Sequence, residues 1–196
     1  RTGLRAGTLK RLAQADAFGS FALPRRLALW RALPERGPLT IWDQSASEQP
    51  LPQLPLMSLF AEVLADYRST SLTLRPHPIS FLRPLLRKWG VVPAQCLIAL
   101  KNDVPLKVGG IVLLRQRPGT ANGVTFMTLE DETGTVNLIV HRRIWERYRR
   151  AARGAIALIA HGRLQTDGQV IHLLVTKLQD LSDRLRHLDQ RSRDFH

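Results

Sequence analysis

From Leu9 to Phe18 apolar side chains recur at three- and four-residue spacing (Leu9, Leu12, Ala13, Ala15, Phe18), with Lys10, Arg11, Gln14 and Asp16 between them. That period predicts an amphipathic helix started near Thr8. A second short helix is predicted after Pro24, a residue suited to a first helical turn; it runs through Leu27, Leu29, Trp30 and Leu33 and is stopped by Pro34 and Gly37-Pro38. Residues 34–57 then set Pro38, Pro50, Pro52 and Pro55 around the polar run QSASEQ, the composition of a linker. Helical spacing returns over 58–100, opened by Ser58 as an N-cap and closed by Gly90, and predicts a helical connector.

After Lys101 the period changes. LKVGGIVLLRQR, GVTFMTLE, GTVNLIV, AIALIAHGRLQ and QVIHLLVTKLQDL are five β-rich runs, and RRIWERYRRAA is a helical interruption between the third and fourth. Pro118-Gly119 with Asn122-Gly123, then Glu132-Thr133-Gly134, then Asp167-Gly168 supply the turns. Five strands with a helix between strands three and four is the order of the OB-fold, a Greek-key barrel that takes oligonucleotides on strands two and three and the adjoining loops. The predicted architecture is therefore α+β, an N-terminal helical segment followed by a five-stranded OB-fold barrel over 101–181. The tail 182–196 has charge without an apolar face and is expected to be solvated.

Alternation assigns the faces of the barrel. With Met127 and Leu129 inward, Phe126 and Thr128 turn outward; with Val136, Leu138 and Val140 inward, Asn137 and Ile139 turn outward. Phe126 becomes a candidate stacking platform, since every base offers a π-face; packing inside the protein is the competing role for such a residue. Arg115 and Arg117 lead toward the first binding loop and Arg163 with Lys177 flank the last, so these cations are candidates for phosphate contacts. In the helix from Arg142, Ile144, Trp145, Tyr148 and Ala152 fall at the spacing that closes the barrel bottom, which leaves the arginines between them to supply electrostatic attraction.

Charge sharpens this picture. The chain of 196 residues holds 29 Lys+Arg against 16 Asp+Glu, a formal net charge of +13, and polyanions are its natural partners. No apolar run approaches the roughly 20 residues that span a bilayer, and no signal peptide opens the chain, so a soluble cytoplasmic protein with no membrane partner is expected. The single cysteine, Cys96, cannot form an internal disulfide and is expected as a small buried hydrophobe. The chain begins at Arg1 without an initiator Met, as the C-terminal piece of a longer protein would.

Catalytic constellations are few. Glu130, Asp131 and Glu132 are adjacent, so in a strand their side chains alternate faces; a hairpin turn with Asp131 on local amides and Gly134 at positive φ is expected rather than a metal site. The histidines at 77, 141, 161, 172, 187 and 196 lack metal-ligand spacing, and no nucleophile elbow, phosphate-binding Gly-rich loop or dinucleotide fingerprint is present. Binding is therefore expected of this chain, with no catalytic residue, metal or cofactor of its own.

The wording of VGGIVLLRQRPGTANGVTFMTLEDETGTVNLIV strongly resembles the OB domain near the C-terminus of the error-prone, DnaE-like C-family bacterial DNA polymerases. The preceding LPLMSLFAEVLADYRSTSLTLRPHPISFLR resembles the segment leading into that domain, and RTGLRAGTLKRLAQADAFGSFALPRRLALW the end of the family's helix-hairpin-helix region. The resemblance implies domains at 1–33 (end of the hairpin region), 34–57 (linker), 58–100 (connector), 101–181 (OB domain) and 182–196 (basic tail). It also implies single-stranded template on the barrel, template-primer duplex on the hairpin region, and a role in DNA replication and damage-tolerant repair synthesis. The nucleotidyltransferase aspartates and their Mg2+ would lie upstream, in a palm domain outside this sequence. Of the hairpin, only the second half around Gly3 and Leu4 is present. Gln53–Met57 (QLPLM) approaches a sliding-clamp peptide, but Met57 stands where the aromatic belongs, so the family's accessory mutasome proteins are the implied route to the clamp. A free-standing OB protein coating single-stranded DNA and an RNA-binding OB appendage are the alternative readings.

Overall fold

The computed structural model describes residues 4–33, 52–120, 122–167 and 170–185. The chain divides into two compact units, Arg1–Arg75 and Pro76–His196, so the segment expected as one connector over 58–100 is shared between them.

The first unit holds helices α1 (Ala6–Gln14), α2 (Arg25–Arg31) and α3 (Leu59–Thr70). α1 starts two residues earlier than its spacing suggests and ends before Phe18, because Asp16 turns into the left-handed region at φ 58°. Pro24 sits at the N-cap of α2 rather than inside its first turn. Ser58 caps α3 as expected, its hydroxyl accepting from the Ala61 amide at 3.1 Å. Small residues, Ala13, Ala28 and Ala32, let α1 and α2 approach closely, with Leu9, Phe18, Leu23 and Leu29 around them. So small an apolar core is supplemented by charge. Arg25, 2% exposed, meets Asp66 and also Glu62 Oε2 at 3.1 Å, while Arg75 reaches Asp16 and Asp66 at 2.7 Å each. Burial works to raise the Asp66 carboxyl, but hydrogen bonds from Thr73, Arg25 and Arg75 outweigh it and hold the group below its ordinary range. Of the linker expected over 34–57, residues 34–51 lie outside the described part; Arg26 donates to the Pro55 carbonyl at 2.7 Å and ties down the remainder. Gly3 of the hairpin remnant also lies outside it, and Leu4 is exposed.

The second unit is a closed barrel of five strands, β1 (Pro105–Gln116), β2 (Thr125–Asp131), β3 (Gly134–Val140), β4 (Ala157–Asp167) and β5 (Val170–Asp180), in the order β1-β2-β3-β5-β4. β3 and β5 run parallel and every other pair is antiparallel, which is the OB topology. Alternation fills the interior with Met127, Leu129, Val136, Leu138, Leu158, Leu164 and Leu173. Two glycines permit closure: a Cβ on Gly110 would sit 2.5 Å from the Glu130 carbonyl oxygen, and one on Gly162, at the β4 bulge, would overlap that of Leu174.

Before the barrel, the run HPISFLRPLLRKWG is a 3-10 turn (Pro78–Leu82) followed by α4 (Arg83–Lys88), closed by Gly90 at φ 71°. The expected helix from Arg142 breaks at Tyr148 into α5 (Arg142–Arg147) and α6 (Arg149–Gly154), and Ile144, Trp145, Tyr148 and buried Ala152 close the barrel end. Two expectations are corrected. Cys96 is exposed, because in its 3-10 turn the inward place goes to Leu97. The start of the tail is folded: buried Ser182 accepts the Ile156 amide at 2.9 Å, and Leu185 is buried. Residues 186–196 lie outside the described part.

Candidate nucleic-acid interface

Strand pairing lines up the outward side chains in rows across the barrel. One row reads Gln116, Phe126, Ile139, Leu174 and Arg163 on β1, β2, β3, β5 and β4. The next reads Leu114, Thr128, Asn137, His172 and Gln165. Phe126 is 39% exposed and Leu114 46%, so one face presents an apolar strip to solvent beside polar side chains. The Thr128 hydroxyl donates to Asn137 Oδ1 at 3.1 Å, which leaves the Asn137 amide group facing outward as a donor. His172, between Asn137 and Gln165, has its Nδ1 covered and without a hydrogen-bond partner among the described residues.

The cations predicted for this face separate into three kinds. Arg117 is exposed one residue beyond Gln116, and its guanidinium lies with Arg142 against Gly123, whose φ of 79° turns the chain into β2. Arg163 ends the Phe126 row and holds Asp103 at 2.9 Å, a pair with both partners well exposed, which contributes little and can be exchanged for a phosphate. Arg115 is different. It stands opposite Met127, an inward residue, so alternation turns it away from the outer face; its Nε donates to the Ala152 carbonyl at 2.8 Å and its Nη2 to that of Ala155. This arginine caps the end of α6, whose last carbonyls lack helical partners. Lys177 pairs with His161, three residues along β5 from Leu174 and seven from the start of that strand, rather than flanking the β4–β5 turn.

The acidic run lies at the far end of the β2–β3 hairpin. Asp131 Oδ1 accepts from the Thr133 amide at 2.7 Å and hydroxyl at 2.6 Å, and Gly134 takes φ 149°. The structure adds a partner that the sequence did not suggest. Arg83, buried at the start of α4, donates from Nη2 to Asp131 Oδ2 at 2.9 Å and closes on Glu132 through Nε and Nη2, while Ala94 N adds a bond to Asp131 at 2.9 Å. Burial acts to raise the Asp131 carboxyl, and the Thr133 hydroxyl, the Ala94 and Thr133 amides and Arg83 bring it below its ordinary value. The nearby His77 accepts from the Ile79 amide at Nδ1, which puts its proton on Nε2, 3.6 Å from Glu130. Carboxylates closed on a guanidinium do not fit a Mg2+ site, and no group of three or more His, Cys, Asp or Glu that could hold a metal occurs among the described residues. No described helix is long and apolar enough to cross a membrane.

No family model matches the chain. It is 41% identical to the error-prone DNA polymerase of Caulobacter vibrioides over 99% of this chain and 20% of that protein. Against error-prone DNA polymerase 1 of Rhizobium meliloti it is 40% identical over 100% of this chain and 18% of the relative, and against the error-prone DNA polymerase of Ruegeria pomeroyi 43% over 96% and 17%. The chain spans about a fifth of the length of the curated relatives it matches. Among solved structures, asparaginyl-tRNA synthetase from Pyrococcus horikoshii aligns with a TM-score of 0.41 and 20% identity over 52% of this chain and 30% of that one. The hypothetical protein ygiW from E. coli aligns with a TM-score of 0.36 and 14% identity over 46% and 89%.

Proposed function

We propose, for a chain that matches a segment of the error-prone DNA polymerases over its whole length, that its barrel holds single-stranded template DNA on the outer face of β2, β3 and β5. The observation that carries this reading is the Phe126 row: an exposed aromatic ring continued by Ile139 and Leu174, with hydrogen-bonding Thr128 and Asn137 in the next row and Arg117 and Arg163 at its two ends. Bases stack on the ring and the apolar strip, and the arginines take backbone phosphates. Arg115 supports this face from behind by fixing β1 to α6, and Lys177 belongs to a neighbouring patch. On this reading the chain is the DNA-binding C-terminal part of a cytoplasmic polymerase that performs damage-tolerant repair synthesis. Nucleotidyl transfer and its Mg2+ belong to the parts of the relatives that this chain does not cover, and accessory mutasome proteins, with the sliding clamp reached through them, are further partners on this reading.

Fluorescence anisotropy with a labelled oligo(dT) tests the reading. Affinity is expected to fall as salt rises, with a slope of about 0.7 per phosphate contact on single strands, and Phe126→Ala is expected to cost about 1–3 kcal/mol. Unchanged affinity in Phe126→Ala, or a flat salt response, removes this face from consideration. Equal binding of the RNA oligomer transfers support to an RNA-binding appendage.

A further inference from the structure

Two residues along β4 from Arg163, the barrel surface sinks into a pocket of about 340 Å3 between α4 and strands β1, β4 and β5. Lys88, Trp89, Lys107, His161 and Gln179 line it. Strand pairing aligns Lys107, His161 and Lys177 in one row, so two ammonium groups flank one imidazole. The Lys107 side chain is held in place: its Nζ donates to the Trp89 carbonyl at 2.8 Å, and its own carbonyl accepts from the Val92 amide at 2.8 Å. Arg184 lies over the Trp89 ring, 5.7 Å from its centre, and adds a fourth basic side chain.

The patch gathers cations without counter-charge: Lys107 is half-buried, Lys88, Lys177 and Arg184 are exposed around it, and none of the four forms an ion pair with a described carboxylate. Like charges gathered without counterions destabilise the fold unless something of opposite charge comes to them. His161 shows the same deficit in two ways. Its Nε2 is covered and has no hydrogen-bond partner among the described residues. Burial, and then the charges of Lys107 and Lys177, hold its pKa below the ordinary histidine value.

We propose that this pocket is a phosphate-binding site, in which Lys88, Lys107 and the His161 imidazole take a phosphate oxyanion and Lys177, beside His161 in the same row, adds positive charge next to it. Compact ammonium groups suit a phosphate as point charges, and a ring N–H supplies a directed donor. The phosphate comes either from the backbone of a polynucleotide, the Arg163 row being about 7 Å away along β4, or from a free phosphate compound. The site does not depend on stacking at Phe126.

The test follows the imidazole resonances of His161 by NMR in the full chain, assigned with His161→Gln, while inorganic phosphate and an oligo(dT) octamer are added separately. Either probe is expected to raise the His161 titration midpoint toward the ordinary histidine value. Lys88→Ala with Lys177→Ala, both exposed and so compatible with folding, is expected to abolish most of that rise. For the oligonucleotide the double variant is expected to lower the salt slope by about 1.4, two contacts at about 0.7 each. Phe126→Ala weakens only the octamer, which separates a failure of the stacking face from a failure of the pocket. A response to the octamer at lower concentration than to inorganic phosphate supports the backbone as source, and a response to inorganic phosphate alone supports a free phosphate compound. A midpoint unmoved by both probes, or moved equally in the double variant, overturns the proposal, as does a response to an acidic peptide alone, which points to a protein partner.

Discussion

Replacing Arg83 by Met tests whether the acidic run is a structural clasp. The Arg83 side chain is 7% exposed and that of Asp131 3%, so deleting the guanidinium leaves a buried carboxylate without its counter-charge. Breaking such a pair costs about 3–5 kcal/mol. Asp131 keeps three other donors, the Ala94 amide and the Thr133 amide and hydroxyl, and the less buried Glu132 can turn to water. The loss therefore belongs at the lower end, about 3 kcal/mol. Because the chain has two units, global unfolding would mix their signals; native-state hydrogen exchange of the β2 and β3 amides reads the barrel alone. The clasp also leaves a pH signature. The Asp131 carboxyl is depressed in the fold, so the stability it supplies is complete above its unfolded value near 3.9 and is lost as pH falls below that value toward the folded one. Without Arg83 the folded value rises, and acid loss of β2–β3 protection begins at higher pH than in the parent. A loss under about 1 kcal/mol, or an unshifted acid profile, refutes the clasp.

Two further substitutions separate structural from binding roles. Arg115→Met strands the Ala152 and Ala155 carbonyls and is expected to cost about 1–3 kcal/mol in α6 and β1 exchange protection; oligonucleotide affinity measured below the unfolding transition stays at the parent level. Ser58→Ala removes the cap from the Ala61 amide and is expected to lower the stability of the first unit by about 1 kcal/mol, read from α3 amide exchange, with the barrel unaffected.

The barrel was legible because its two signals are local. Alternation along VTFMTLED and TVNLIV assigns every inward and outward side chain of β2 and β3 as the structure has them, and the helix between the third and fourth strands fixes the topology. The face of Arg115 was not legible: the register of β1 shifts between Val112 and Leu114, which puts Arg115 opposite inward Met127 although it leads toward the first loop. Lys177 stands away from the β4–β5 turn because β5 begins at Val170, seven residues before it. Arg83 was out of reach because its partners stand 48 and 49 residues away, and no spacing rule connects a short helix to a distant hairpin. The parallel pairing of β3 with β5, which brings Leu174 and His172 beside Ile139 and Asn137, is likewise a tertiary fact.

These placements change what the net charge of +13 means. Arg25, Arg75 and Arg83 are neutralised inside their own units, and Arg115 is bound to carbonyls, so the potential available to a polyanion comes from elsewhere. It comes from Arg117 and Arg163 at the ends of the Phe126 row, from the lysines around His161, and from the arginines of α5 and α6. The first two groups lie on adjacent rows of the same strands, β4 and β5, His161 standing two residues along β4 from Arg163. On the proposed reading, stacking sets where the bases sit, while the exposed cations fix the path of the backbone. Of the paired arginines, Arg83 contributes to that arrangement only indirectly, by holding the hairpin that presents Phe126 in a rigid barrel.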